Sequence, residues 1–177
     1  SPDSPDLAIV VDNLGEIYAE AGELDKAKQL VERGLEIRER TLGPQHPDVA
    51  NSLINLGNLL LTREEFDSAR PLFERAIRIL QNATVPDHRA VAIARGSLSA
   101  LFVGTGNFSA AEREIQSAVE VLKKLDHGDN SDTADILTGY ADALRRAGRA
   151  IQADEVAASV AAMRARMEPE RRKASSK

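Results

Sequence analysis

The stretch AIVVDNLGEIYAEAGELDKA, residues 8–27, decides the fold of this chain, because it returns 42 residues later as ANSLINLGNLLLTREEFDSA, residues 50–69. Leu14 and Gly15 fall on Leu56 and Gly57, and the alanines at both ends of the two stretches coincide. The same shift continues to the end of the chain without a gap, so that four copies of 42 residues fit within the 177 residues. A fixed period in this range is typical of helical-repeat proteins.

Each copy contains two segments with the spacing of an amphipathic helix. In the first segment Val10, Leu14 and Ile17 step by four and three residues, and in the second Ala27, Leu30 and Gly34 do the same. This spacing places the side chains on one face of a helix. Pro5 and Pro47 fit the first turns of their helices. The pattern predicts eight helices, at residues 6–21, 24–40, 47–63, 66–82, 88–104, 108–125, 132–146 and 150–167.

One position of the repeat, just after the first helix, is glycine in three of the four copies. Gly22, Gly106 and Gly148 can adopt the left-handed conformation that ends a helix without a Cβ clash. The second copy has Glu64 there. We therefore expect that turn to be either reshaped or strained by roughly 1 kcal/mol.

The residues of each copy resemble the tetratricopeptide repeat, whose pattern is W-x2-L-G-x2-Y followed by A-x3-F. The first copy has Leu14, Gly15 and Tyr18 at the matching positions, with Val11 in place of the aromatic residue, and then Ala27 with Val31. The 42-residue period and the linker LGPQHPDVA, residues 42–50, are similar to the kinesin-light-chain type of repeat and to bacterial arrays of that type. The resemblance implies an all-α fold, a right-handed superhelical α-solenoid of four helix-turn-helix repeats with a concave inner face.

The repeat boundaries predict one array over residues 1–167. Its four repeats span about 6–46, 47–87, 88–130 and 131–167. Pro169 is expected to end the last helix, because proline cannot continue the hydrogen-bond ladder. The polar and basic residues 168–177 are then predicted to form a disordered tail.

Composition and motifs exclude several classes of function. The chain has no cysteine, which removes disulfides, thiolate metal sites and thiol nucleophiles. A net charge of −5 disfavours nucleic-acid binding, and no apolar run reaches the length needed to cross a bilayer. His46 and His88 share one inter-repeat loop position, which explains them without a metal, and catalytic signatures are missing. We expect no enzyme activity, no cofactor, no metal and no membrane contact, and a cytoplasmic location.

The resemblance also implies which side chains face the groove. In related repeats an asparagine at the position of Asn13 and Asn55 holds the backbone of an extended peptide, which an amide can do because it both donates and accepts. The alternative is that these amides make only local or solvent hydrogen bonds, and that the nearby acids are a solvated face. The predicted groove residues are Asp12, Asn13, Glu16, Asn51, Ile54, Asn55, Asn58, Leu61, Ile93 and Val103.

The sequence therefore predicts a non-enzymatic scaffold that binds a protein or an extended peptide. Apolar residues in the middle of the groove suit apolar anchors of the ligand, and the acids of the first copy suit a basic end. Two alternatives stay open. One is a structural spacer or a homo-oligomerisation module, with the last helix as a surface for a homodimer. The other is a regulatory region of a larger signalling enzyme.

Overall fold

The structure is a computed structural model that describes residues 4–126 and 131–174. These residues form eight helices and no strand. The helices are α1 (Pro5–Glu20), α2 (Leu24–Leu42), α3 (Pro47–Thr62), α4 (Phe66–Asn82), α5 (His88–Gly104), α6 (Phe108–Asp126), α7 (Ser131–Arg146) and α8 (Ala150–Ala174). They pair as the hairpins α1–α2, α3–α4, α5–α6 and α7–α8, which confirms the predicted all-α fold of four helical repeats.

Local capping explains where the helices begin. Ser4 accepts a hydrogen bond from the backbone N–H of Leu7 at 3.2 Å, and His46 accepts one from Asp48 at 3.2 Å. Pro5 and Pro47 follow these caps at the first helical position, where the missing N–H costs no hydrogen bond.

The four turns inside the hairpins share one geometry. Gly22, Gly106 and Gly148 have φ angles of 79°, 75° and 76°, and Glu64 has a φ of 60°. In each turn the residue after this position donates its N–H to a carbonyl five residues back, as Glu65 does to Leu60 at 2.9 Å. Glu64 therefore takes the strained conformation rather than reshaping the turn, which was one of the two outcomes expected.

Small residues let the two helices of a hairpin approach closely. Ala27, Ala69, Ala111 and Ala153 are all fully buried. A Cβ on Gly57 would lie 2.6 Å from Cε1 of Phe73, and Ser99 Oγ donates to the carbonyl of Ala111 at 2.8 Å. The repeated alanines thus lie where the second helix crosses the first, as the spacing predicts.

Two compact units contain two hairpins each, residues 1–87 and 88–177. In the first unit α2 packs on α3, and the largest fully buried side chains include Phe73, Leu53 and Ile37. In the second unit α7 packs on α5 and α6, and Leu101, Leu122 and Leu144 are fully buried. The single array over residues 1–167 stays a prediction.

The end of the last helix differs from the expectation. The prediction that Pro169 ends α8 is wrong, because the helix continues to Ala174. Proline removes one hydrogen bond, but the residues after it, Glu-Arg-Arg-Lys-Ala, are strong helix formers. The predicted disordered tail thus begins inside a helix, and its last residues, 175–177, lie outside the described part of the chain.

Candidate functional site

A row of polar side chains lies along one face of α3, and polar side chains are also exposed on α1. Asn51, Asn55 and Asn58 follow a spacing of four and three residues, which puts them on one helix face. Asn51 and Asn58 are exposed and Asn55 is half-buried, while Asn13 and Glu16 are exposed on α1. Within the described residues the amides of Asn55 and Asn58 and the carboxylate of Glu16 form no hydrogen bond or ion pair. These groups are therefore available to a ligand.

A pocket of about 270 Å³ opens between α1, α2 and α3, all within the first unit. Its polar lining contains three predicted groove residues, Glu16, Asn55 and Asn58, together with Thr62. Thr62 Oγ1 is already used, since it donates to the carbonyl of Asn58 at 3.0 Å. Of the residues that line the pocket, only Glu16 is charged.

The floor of this pocket is apolar, and its residues were not predicted from the sequence. It consists of small or aliphatic residues of all three helices: Gly15, Ala19, Leu24, Ala27, Val31 and Leu59. Ala19 of α1 contributes only a methyl group to this lining, where a longer side chain would fill the space. The signal was present in the sequence, since the same repeat positions hold Leu61 and Val103 where the first copy has Ala19.

Three predicted groove residues are buried instead. Asp12, Ile54 and Val103 are 7%, 6% and 2% exposed. Asp12 and Ile54 occupy the same position of successive repeats, and that position is buried in both hairpins. These three side chains are therefore not exposed to a ligand in solution.

Asp12 instead joins three helices. Arg38 of α2 forms a close ion pair with its carboxylate and donates a second hydrogen bond to Ser52 Oγ of α3 at 2.7 Å. A Cβ on Gly34 would clash with Asp12 Oδ1, so the glycine makes room for the carboxylate. Burial raises the pKa of Asp12 above its ordinary value, and the hydrogen bond and charge of Arg38 offset this only partly. This arrangement stabilises the helix packing and does not present an acid to a ligand.

The remaining predicted residues lie outside the pocket. Asn13 and Asn51 are exposed on α1 and α3, and Leu61 is half-buried near the end of α3. Ile93 belongs to the second unit, on α5, and is 40% exposed.

The described residues contain no cluster of three His, Asp or Glu side chains that could hold a metal ion. None of the described helices combines the length and the apolar character needed to span a bilayer.

Comparison with known proteins identifies the repeat. Residues 6–82 match the family model described as "Tetratricopeptide repeat". No curated protein sequence matches the chain.

Solved structures share the fold at low sequence identity. BtubC (BKLC) from P. vanneervenii has a TM-score of 0.74 at 20% identity, over 93% of this chain and 66% of its own length. A variant form of a Podosopora anserina protein, described as a kinesin light chain with nearly identical TPR-like repeats, has a TM-score of 0.73 at 19% identity, over 96% and 80%. MamA MSR-1 C2 has a TM-score of 0.54 at 18% identity, over 90% and 78%. The chain thus spans slightly less than two thirds of BtubC.

The repeat spacing, the four identical turns, the family match and these folds agree with one another. Residues 6–82 are similar to the tetratricopeptide repeat, and the chain shares the helical-repeat fold of these solved structures.

Proposed function

We propose that this chain is a non-enzymatic scaffold that holds an extended peptide across α1 and α3 of its first unit. The observation that carries the proposal is the pocket of about 270 Å³, with an apolar floor and with unpaired amides and one carboxylate at its mouth. A few polar groups around an apolar pocket are typical of binding sites. Tetratricopeptide repeats in general mediate contacts between proteins, which supports the same function.

The lining defines the chemistry of the ligand. Asn55 and Asn58 hold peptide bonds of the ligand, because each amide both donates and accepts. One apolar side chain of the ligand enters the pocket against Leu24, Val31 and Leu59. A lysine or arginine of the ligand next to this anchor pairs with Glu16. Nucleic acid and membranes are not expected partners, and the cytoplasmic location stays a prediction.

Selection of peptides from a random displayed library against the purified chain tests this function. We expect the selected peptides to contain an apolar residue beside a lysine or arginine. The Asn55→Ala/Asn58→Ala variant should bind them roughly tenfold more weakly by calorimetry, because each lost amide hydrogen bond contributes about 0.5–1.5 kcal/mol.

Two controls separate the pocket from nonspecific effects. Gln81→Ala, which removes an exposed amide on α4 outside the pocket, should leave the affinity unchanged. Glu16→Gln should weaken only peptides that contain the basic residue. Equal binding by the wild type and the double asparagine variant would contradict the proposal.

A further inference from the structure

Three aliphatic side chains on α1 are exposed although the same positions of the next repeat are buried. Val10, Leu14 and Ile17 are 60%, 40% and 60% exposed. Their counterparts 42 residues later on α3 are Ser52, Leu56 and Leu59, which are 1%, 6% and 7% exposed. We call Val10, Leu14 and Ile17 the α1 stripe. Its spacing makes it a surface for packing another helix.

The first unit shows how a hairpin covers this position. The hairpin α1–α2 packs on α3, and four polar contacts from α2 set the register between the hairpins. These contacts are Asp25 with Arg63 at 2.6 Å, Lys28 with Glu65 at 3.4 Å, Arg38 with Ser52 at 2.7 Å and Glu39 with Arg75 at 2.6 Å.

The fourth repeat presents the same surface of its second helix, with a different chemistry. Three periods of 42 residues map the four α2 positions onto Ile151, Asp154, Arg164 and Ala165 of α8, all exposed. Ile151 is 79% exposed, and Ala158 and Ala161 lie on the same helix face, also exposed. We call Ile151, Asp154, Ala158, Ala161 and Ala165 the α8 face. Ile151 and Ala165 of α8 are thus apolar where α2 has the charged residues Asp25 and Glu39, and the exposed Ala158 and Ala161 lie beside them.

We propose that the α8 face of one copy of this chain packs on the α1 stripe of a second copy, in the register that α2 and α3 use within one chain. In that register Ile151 lies opposite Ala21, where α2 and α3 have the Asp25–Arg63 pair. The alanines of the α8 face are small, so they leave room for the larger side chains of the α1 stripe to pack against the helix. The contact is heterologous, because two different surfaces of the chain pair.

Charged side chains near this contact already have partners in their own copy. Glu23 pairs with Lys26 at 3.3 Å and Arg33 with Glu36 at 3.4 Å on the α1–α2 side. Asp154 pairs with Arg145 at 3.3 Å and Arg164 with Asp135 at 3.1 Å on the α7–α8 side. Arg164 can therefore pack near Val10, and Ala165 near Arg33, while both arginines keep their ion-pair partners.

One pair in this register has like charges. Glu23 lies opposite Asp154, where the first unit has Glu65 opposite Lys28. Repulsion between exposed charges is screened by salt. Association should therefore strengthen when NaCl is raised from about 50 mM to about 500 mM.

Light scattering on the purified chain over a range of concentrations tests the proposal. We expect the molar mass to rise with concentration above that of one chain. Ile17→Glu and Ile151→Glu should each keep the mass at one chain, because each variant loses one of the two surfaces. An equal mixture of these two variants should form dimers, since the intact α8 face of the first packs on the intact stripe of the second.

Val85→Glu is the matched control, because Val85 is 81% exposed but belongs to neither surface, and it should associate like the wild type. Circular dichroism should show that all three variants keep their helix content. A wild-type mass of one chain at every concentration overturns the proposal and leaves the stripe to a partner other than a second copy. Loss of association in Ile17→Glu but not in Ile151→Glu also overturns it, since the stripe would then pair with something other than α8.

Discussion

The first and second hairpins have the same spacing but bury very different side chains. In α1 and α2 the buried apolar side chains are Ala8, Ala27, Val31 and Ile37. In α3 and α4 the corresponding core contains Leu53, Leu56, Phe73, Ile79 and Leu80 among others. The difference arises because α3 lies under the first hairpin, whereas the α1 stripe is uncovered. A repeat pattern thus determines the backbone of a hairpin, and the neighbouring hairpin determines how much of it is buried.

The two hairpins also differ at one pair of positions where their two helices face each other. Asp12 and Arg38 form an ion pair inside the first hairpin, and the equivalent residues of the second hairpin are Ile54 and Leu80, 6% and 1% exposed. One position of the repeat therefore accepts either an ion pair or an aliphatic pair. The aliphatic pair needs no compensation for lost hydration, whereas the ion pair does.

The largest expected difference between the hairpins concerns the residue that packs against the glycine of the first helix. Phe73→Ala should lower the free energy of unfolding by about 3–5 kcal/mol, since it empties a fully buried site against Gly57. Val31→Ala, at the equivalent position, should cost about 1.5 kcal/mol, because each buried methyl-sized group contributes about 0.8 kcal/mol. Urea denaturation measures both, and equal losses would show that the two hairpins are not different in this way.

The second prediction breaks the ion pair and then replaces it. Arg38→Leu alone should cost about 3 kcal/mol, because it leaves the carboxylate of Asp12 buried without its partner. Asp12→Ile/Arg38→Leu, which copies the second hairpin, should recover most of this loss. If the double variant were no more stable than the single one, the two positions would not be interchangeable between repeats.

Acid should affect the wild type and the double variant differently. Because burial raises the pKa of Asp12, the folded state holds this proton more tightly than the unfolded state does. The stability that this group contributes is complete below its ordinary pKa of 3.8 and is lost as the pH rises through the raised value. The wild type should therefore gain stability relative to Asp12→Ile/Arg38→Leu as the pH falls from 7 toward about 3. A constant or opposite difference in denaturation curves would contradict this.

The smallest expected effect concerns the turn of the second hairpin. Glu64→Gly should raise the free energy of unfolding by up to about 1 kcal/mol, since glycine adopts a φ of 60° without a Cβ clash. Gly22→Ala at the same position of the first hairpin should be destabilising by a similar amount. Thermal unfolding of both variants measures the sign, and two shifts in the same direction would refute the shared turn geometry.

Three of the ten residues that line the pocket were predicted from the sequence. Glu16, Asn55 and Asn58 were predicted from their repeat positions, and they do line one pocket. The floor residues Leu24, Val31 and Leu59 were not predicted, since in the repeat pattern they are ordinary core positions. They contribute to a pocket because the small side chain of Ala19 leaves space beside them.

The sequence by itself predicted the eight helices, the prolines of their first turns and the left-handed turns at Gly22, Gly106 and Gly148, and it left the turn at Glu64 open between strain and reshaping. These features depend on residues within a few positions of one another, so the local spacing is sufficient to predict them. Only the tertiary structure decided that Asp12 and Ile54 are buried, that Val10, Leu14 and Ile17 are exposed, and that a pocket opens beside Gly15. Burial depends on which helix lies across a side chain, and the 42-residue period is identical whether or not a neighbouring hairpin is there.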